Sequence, residues 1–556
     1  MNDKKEKLCE AISLAVANLW GENVLPELDI PDDFDFGDLS SNLPFKLARI
    51  IRKSPREIAE GIAEVIDLPE GIESAEPAGA GYINFRYSRD YLHNLLAKII
   101  AHPQDFGKGK PNNSGPIQIE YVSANPTGPL NVVSARAAAV GSSLINLMRH
   151  AGYDVSSEYY LNDAGNQILM LKDSFIARIR QGAGLDWEIP LEDGYYGEYL
   201  ADLAAIYSDS FPAEHAKIIE AWNIGETPDI SHPRAWIVAA LERGIRENLG
   251  EFNTHIDNYF SEAEFRSTGA VAKVIDRLKE QDDTIERDGA LWFRADKYNP
   301  NEEPFVLVKS DGEYAYAAVD IAYHEDKFNR GFGLCYDIWG PDHHGHIGRI
   351  KAAMAALGHE GKFDVLVLQQ VNLIEGGEKV RMSKRAGKIV LLSELVEDVG
   401  VDVARFFFTA RRMEAHLDFD LDLARKESDE NPVYYIQYAH ARISSILKFA
   451  ENQGIKTHSV GRDELAYLTE PEVLILARKL AVWPTVVERA ALEKSPHDIC
   501  FYLLELAKLF HPFYAHYRVV DEDKAITLAR VALCRAVKET LVLGLGLLGI
   551  DAPENM

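Results

Sequence analysis

The sequence predicts an α/β protein built on a parallel sheet with a helical insertion, preceded by an α+β region and followed by an all-helical one. Three observations carry this. From "PIQIEYV" onward strands and helices alternate, the rhythm of a parallel sheet. Near residues 165–250 the text turns helical and charged. Beyond about Asn431 every apolar pattern has helical period to the end. At 556 residues the chain is too long for one core, so three or four domains are expected.

The opening "MNDKKEKLCEAISLAVANLW" sets Leu8, Ile12 and Leu19 at helical spacing, and Glu10 interrupts any signal-like apolar core, so a docked helix is expected. Residues 1–100 alternate amphipathic helices with short strands and form the first domain. "HPQDFGKGKPNNSGP", at 102–116, is dense in turn formers and reads as a linker. The central domain, 112–375, runs through strand 117–122, helix 132–150 and strand 154–161, then an insertion at about 165–285. Strands return at "ALWFRA", "FVLVKS", "CYDIWG" and "FDVLVLQQV", all expected in the parallel sheet. Residues 376–430 open on a glycine-flanked basic loop, and 431–556 form the helical tail.

Apolar residues make up 47% and charged residues 26%, ordinary for a soluble globular protein. No apolar run approaches the ~20 residues of a membrane span, so no membrane partner is expected. Cys9, Cys335, Cys500 and Cys534 lie far apart with no CxxC pair, which argues against a disulfide framework or zinc knuckle and fits a cytoplasmic location. The net charge of −28 points away from a general nucleic-acid binder, although an acidic chain can bind RNA where its cations gather on one surface.

The stretch "IEYVSANPTGPLNVVSARAAAVG", 119–141, has the geometry of an anion site, because a strand delivers the chain to a helix start whose N–H groups lack partners. Pro126 and Pro129 stiffen the approach, and Gly128 allows close passage of a ligand. Asn131 and Ser134 fall at the helix start, three residues apart, as donors to a ligand or simply as helix caps. There is no GxxxxGK[ST]. The GxGxxG in "GLGLLG", 544–549, sits in the helical tail, where no βαβ unit can follow it.

Taken together, "SANPTGPL…ARAAAVG" and "VRMSKRAGKIVLLSEL" resemble the two signatures of class I aminoacyl-tRNA synthetases, specifically the arginyl-tRNA synthetase family. The likeness continues through "YYLNDAGNQ", "DGALWF", "WGPDHHGHIGRIKAA" and "NPVYYIQYAHARI", and covers nearly the whole chain. It implies a Rossmann-type catalytic domain, an N-terminal tRNA-contacting domain, a stem-contact region and a helical anticodon-binding domain. It further implies ATP with Mg2+, L-arginine and tRNA(Arg) as reactants, no zinc, and a monomer. Where the family's first signature reads His-x-Gly-His, this chain reads Asn131-Val132-Val133-Ser134, and Arg381 replaces the second signature's first lysine.

Activation needs the arginine carboxylate to attack the α-phosphate of ATP, so the protein must supply alignment and positive charge. The resemblance assigns ATP to Pro126, Thr127, Gly128, Asn131, Ser134, Met382, Ser383 and Lys384, with Asn131, Ser134, Arg381 and Lys384 catalytic. A guanidinium demands carboxylates. The resemblance puts Glu120 and Asp320 at the positions that would meet the guanidinium, and implies that Ser123, Asn125, Tyr316 and His343 join them in the arginine site. Adjacent histidines in "GPDHHGHIGR", taken as extended, would face opposite ways, so few of them could share one ion, and no cysteine helps. In the tail, Tyr435, Tyr438 and Arg442 gather opposite the apolar stripe of their helix, suited either to packing or to stacking on unpaired bases; the resemblance favours the latter. Two rivals stand beside the ligase reading: a catalytically decayed tRNA- or arginine-binding paralogue, motivated by "NVVS", and a small-substrate nucleotidyltransferase, which has no use for an RNA-facing tail.

Overall fold

The computed structural model describes residues 2–31, 33–111, 115–189, 194–380, 390–456 and 462–556. It divides into two compact units, one of Met1–Lys110, His150–Gly152 and Glu427–Met556, the other of Pro111–Arg149 and Tyr153–Lys426.

In the first unit, helix Asn2–Trp20 buries Leu8, Ile12, Ala15 and Val16. Leu19 lies off that stripe and stays exposed, unlike the expectation. Strands Leu39–Ser41, Tyr82–Tyr87 and Ile72–Ala78 form an antiparallel sheet in that order. The expected linker is close-packed where it is described. A Cβ on Gly107 would lie 2.6 Å from Trp483 Nε1, and one on Gly109 would lie 1.9 Å from the Ala151 carbonyl oxygen. Its glycines therefore mark close passage of the chain rather than looseness. The tail is helical, with long helices Pro432–Asn452, Pro471–Glu493, His497–His516 and Lys524–Leu547. The accidental "GLGLLG" is explained by packing, since a Cβ on Gly544 would meet Leu503 at 2.5 Å, and Gly549, at φ +68°, ends the last helix.

The second unit is built on a five-stranded sheet in the order Phe363–Val367, Leu334–Trp339, Ile117–Glu120, Val155–Leu161, Asn258–Ser261, all neighbours parallel. Counted along the chain, that is the doubly wound order 3-2-1-4-5 of the Rossmann type, whose crevice opens at the carboxyl ends of the strands where the order reverses, here between Ile117–Glu120 and Leu334–Trp339. Every residue of Ile117–Glu120 is buried, as a central parallel strand requires. Helix Val132–His150 lies close on the strand's exit because its inner face is alanine and glycine. A Cβ on Gly141 would fall 2.4 Å from the ring of Tyr121.

Two of the expected parallel strands belong elsewhere. Ala290–Phe293 and Phe305–Val308 join Thr284–Arg287 in a separate antiparallel sheet. Asp288 and Gly289, both at positive φ, turn the first hairpin, and only the 3-10 turn Ala295–Lys297, not a crossover α-helix, separates Phe293 from Phe305. Between Leu161 and Asn258 helices Asn166–Gly182, Tyr199–Ser210, Pro212–Asn223 and Ser231–Glu251 form the insertion, with its own core around Phe175, Tyr207 and Leu241. A third small sheet pairs Val371–Glu375 antiparallel with Glu378–Lys379 and parallel with Leu417–Asp420.

Gly141→Ala should destabilise the protein by about 1–3 kcal/mol through overpacking against Tyr121. Chemical denaturation checks this, with Gly244→Ala, which has open space beside it, leaving the midpoint unchanged or higher.

Candidate active site

The switch point is lined by a row of acids. Asp337, Glu120 and Glu158 are register partners across three neighbouring strands, so their side chains share one face of the sheet. All three are buried. Three such charges are tolerable only if paired, and one helix, Tyr316–Asn329, answers them with its last turns and the residue that follows. Lys327, 0% exposed, places Nζ 2.7 Å from both Glu120 Oε2 and Asp337 Oδ1. Arg330 reaches Glu158 with both Nη atoms, at 2.5 and 2.9 Å. Tyr323 Oη lies 2.8 Å from Glu120 and 2.7 Å from Glu158, and His324 spans the Asp320 carbonyl and Asp337 Oδ2. Burial works to raise the Glu158 carboxyl, but Arg330 and Lys327 outweigh it and hold it below the usual range. Burial likewise opposes the Lys327 charge, and Asp337 and Glu120 more than restore it.

This network decides what the expected arginine-site residues can do. Glu120 has both oxygens engaged, Oε2 by Lys327 and Tyr323 and Oε1 by the Ser123 hydroxyl at 2.8 Å. Ser123 in turn accepts from the Tyr160 backbone N–H. Val122 and Ser123 sit consecutively at φ +69° and +39°, a strained pair just where the strand turns toward the signature helix. Asp320 differs, being one helical turn before His324 with its side chain open to solvent. Protein nevertheless crowds it, and that desolvation, with Glu262 and Glu120 adding negative charge against His324, pushes its carboxyl up to about 6. Tyr316 begins the same helix and is 72% exposed. Asn125 donates from Nδ2 to Gln167 Oε1 at 2.5 Å. His343 is exposed, its ring centroid 6.0 Å from that of Trp339.

At the helix start, Asn131 is the cap. Its Oδ1 accepts from the N–H groups of Val133 (2.9 Å) and Ser134 (3.2 Å), so of its amide only Nδ2 remains as a donor for a ligand. Val133 is 47% exposed and Ser134 half-buried. Pro126 is buried, and Thr127 and Gly128 are half-buried. Arg381, Met382, Ser383 and Lys384 lie outside the described residues. The chain on either side of them is defined, with Glu378–Lys379 paired to Val371–Glu375 on one side. On the other, Val390–Leu392 is stitched to the helix start through Val132 N–H to Val390 O (3.3 Å) and Leu392 N–H to Leu130 O (2.8 Å).

"GPDHHGHIGR" is a correction to the extended reading. Pro341–His343 form a 3-10 turn and His344–Ala356 a helix, so His343 and His346 share a side, their rings 6.4 Å apart. Among the described residues, the group close enough to hold a metal is Glu120, His324 and Asp337, and the Lys327 ammonium already stands between its carboxylates. That donor set does not fit a resident ion.

Sequence reading missed Glu262, Tyr160, Lys327 and Gln167. Glu262, buried and paired with Arg266 at 2.6 Å, hydrogen-bonds Tyr160 and adds to the negative field at Asp320. One signal was available: "IQIE", "SSEYY" and "CYDIW" each carry a single acid within apolar strand text, and a buried acid requires a partner. In the other unit, Arg442 lies over the rings of Tyr438 (5.3 Å) and Tyr514 (5.1 Å), while Tyr435 and Tyr438 flank His511. His440 is a core histidine, its Nδ1 bonded to the Pro553 carbonyl at 2.8 Å.

Comparison with known proteins sharpens this reading. Residues 96–414 match the family described as tRNA synthetases class I (R), catalytic domain, so fold and site define a class I aminoacyl-tRNA synthetase. Residues 5–87 match the arginyl tRNA synthetase N terminal domain and 436–556 the DALR anticodon binding domain. The chain is 42% identical to arginine–tRNA ligase 1 of Halalkalibacterium halodurans over 100% of both chains, and 42% identical to the arginine–tRNA ligase of Geobacillus kaustophilus over 99% of each. The Thermus thermophilus arginyl-tRNA synthetase structure shares the fold, with TM-score 0.76, 24% identity, and coverage of 99% of this chain and 100% of that one. The chain belongs to the arginyl-tRNA synthetase family.

Lys327→Met leaves Glu120 and Asp337 facing each other without their cation, and should cost about 3–5 kcal/mol of stability. A loss below about 1 kcal/mol in chemical denaturation would show the row is not held as described.

Proposed function

We propose that this chain is an arginine–tRNA ligase that activates L-arginine with ATP and transfers it to the 3′ end of tRNA(Arg), releasing AMP and pyrophosphate. The observation that carries this is Asp320, a crowded but solvent-facing carboxylate beside a switch-point crevice whose other acids are already neutralised. The substrate guanidinium is the counter-charge that position lacks, and a second carboxylate, Glu262, reinforces its field. Tyr316 flanks the entry, Glu120 and Ser123 form the floor, and Asn125 and His343 complete the arginine site. ATP lies along Pro126–Gly128 and the start of helix Val132–His150, where Ser134 and the Asn131 amide nitrogen donate in place of imidazoles. Arg381, Met382, Ser383 and Lys384 supply the cationic flap. Magnesium enters with ATP as part of the substrate, held by phosphate oxygens and water.

The domain roles follow the same reading. Residues 1–100 contact tRNA, 112–375 with their insertion at about 165–285 catalyse, 376–430 carry the basic loop and touch the stem, and 431–556 take the anticodon, where Tyr435, Tyr438 and Arg442 stack on bases. We place the enzyme in the cytoplasm as a monomer; among the described residues no helix is long and apolar enough to cross a membrane.

Arginine-dependent ATP–pyrophosphate exchange with cognate tRNA present tests the proposal. Exchange by the native chain supports it. No exchange, with activity gained on Asn131→His, Val133→Gly and Ser134→His together, would favour the decayed paralogue. Asp320→Ala should raise the arginine KM by at least roughly 100-fold and leave tRNA affinity unchanged; equal loss of both points to misfolding. The carboxyl must be ionised to hold a guanidinium, so arginine affinity should be full above pH 6 and fall by up to about tenfold per pH unit below it. A flat profile between pH 5 and 7 would remove Asp320 from the site.

A further inference from the structure

The turn that precedes the signature helix is gripped from outside, by the insertion. It is tight in itself, with the Thr127 N–H donating to the Asn125 carbonyl at 2.7 Å. Tyr199, the first residue of insertion helix Tyr199–Ser210, donates its hydroxyl to the Thr127 carbonyl. The same hydroxyl lies 3.4 Å from where a Cβ on Gly128 would sit, so ring and turn are in van der Waals contact range. Room for the ring is made two residues earlier, where a Cβ on Gly197 would fall 2.3 Å from Tyr199 Cε1. Two further contacts hold the neighbouring residues: Gln167 takes the Asn125 amide, and Tyr159 Oη donates to the Ala124 carbonyl at 2.7 Å.

A peptide group is planar and trans, so its carbonyl and the next N–H point in opposite directions. Fixing the Thr127 carbonyl on Tyr199 therefore fixes the Gly128 N–H on the far edge of the same peptide. A backbone N–H held before binding, at the approach to a helix start, is an anion donor that costs no reorganisation when a phosphate arrives.

We propose that Tyr199 is a positioning residue for the nucleotide: from the insertion, its hydroxyl and ring set the Thr127–Gly128 peptide, and Gly197 is the space that lets the ring reach it. The inference rests on the reading that this turn receives ATP, and it assigns the insertion a part in amino-acid activation that needs no contact of its own with substrate.

The test uses the full chain and three variants. Tyr199→Phe removes only the hydroxyl, Tyr199→Ala the ring as well, and Gly197→Ala leaves Tyr199 intact but displaces it. ATP affinity is measured by calorimetry and, separately, ATP and arginine KM by pyrophosphate exchange. Loss of one oriented hydrogen bond corresponds to about tenfold. Tyr199→Phe should therefore weaken ATP about tenfold, with Tyr199→Ala and Gly197→Ala at least as weak. Arginine KM should stay within about twofold and thermal midpoints within about 2 °C of the native chain. The proposal fails if Tyr199→Phe binds ATP like the native chain, if ATP and arginine KM rise together, or if the losses track a lowered midpoint. A native chain that binds ATP but shows no arginine-dependent exchange would overturn the ligase reading alone, since the variants still report on ATP by calorimetry. A native chain that fails to bind ATP would overturn both.

Discussion

The structure depends on three carboxylates lying side by side at the ends of parallel strands. Asp337, Glu120 and Glu158 are neighbours in register, so the sheet brings them together whatever their mutual repulsion. Out of water, that arrangement survives only with cations placed between them. Lys327 and Arg330 do this from one helical stretch, with Tyr323 and His324 adding hydrogen bonds. The pairing sets both the rotation and the height of helix Tyr316–Asn329 on the sheet. Asp320 and Tyr316, about two and three turns before Lys327, are consequently carried out to solvent at a fixed position beside the crevice.

A second consequence concerns the helix start where the family signature's histidines are replaced by Asn131 and Ser134. Asn131 spends its carbonyl oxygen on the helix cap and keeps its amide nitrogen, so one residue both ends the loop and retains a donor. The helix start is itself fixed from below by Arg136, whose guanidinium is buried and donates to the carbonyls of Gln369 (2.5 Å), Arg412 (3.0 Å) and Ala415 (3.2 Å). Arg405 ties the middle of the same helix through Ser142 and holds the Phe252 carbonyl. Carbonyl oxygens accept from Arg136, a carbonyl and two hydroxyls accept from Arg405, and burial draws each guanidinium down to about 10. Arg136 thereby joins the signature helix to the chain that leads into Val371–Glu375, and Arg405 joins it to the chain just before Asn258–Ser261. The two signature segments are tied to each other by backbone pairing of Leu130–Val132 with Val390–Leu392, which suits a reaction that depends on alignment.

Much of this was legible in the residue order, and the exceptions have physical causes. Strand Ile117–Glu120, helix Val132–His150 and the helical tail follow from periodicity and from turn chemistry. "ALWFRA" and "FVLVKS" were misplaced in the parallel sheet because a short apolar strand carries no mark of its partner; the Asp288–Gly289 hairpin turn was the available clue. Leu19 looked internal by spacing, but the buried stripe drifts to Ala15 and Val16. Glu120 was read as a substrate ligand without its supports, and only the packed helix reveals that Lys327, Tyr323 and Ser123 hold its carboxylate in place. The histidines of "GPDHHGHIGR" were judged on an extended segment that proves helical.

The sequence by itself determined the family, the order of its elements, the helix start that follows the first strand and which acids lie within apolar strand text. These are properties of local patterns, written in neighbouring residues. Tertiary structure alone decided which acid is free, because charge pairing joins residues more than two hundred positions apart, as Lys327 and Glu120 show. It also decided that the insertion holds the turn before the signature helix, through Tyr199 and Gln167, since such contacts arise from where the crossover helices come to rest on the sheet. Burial converts a residue's chemistry into a role, and burial belongs to the fold.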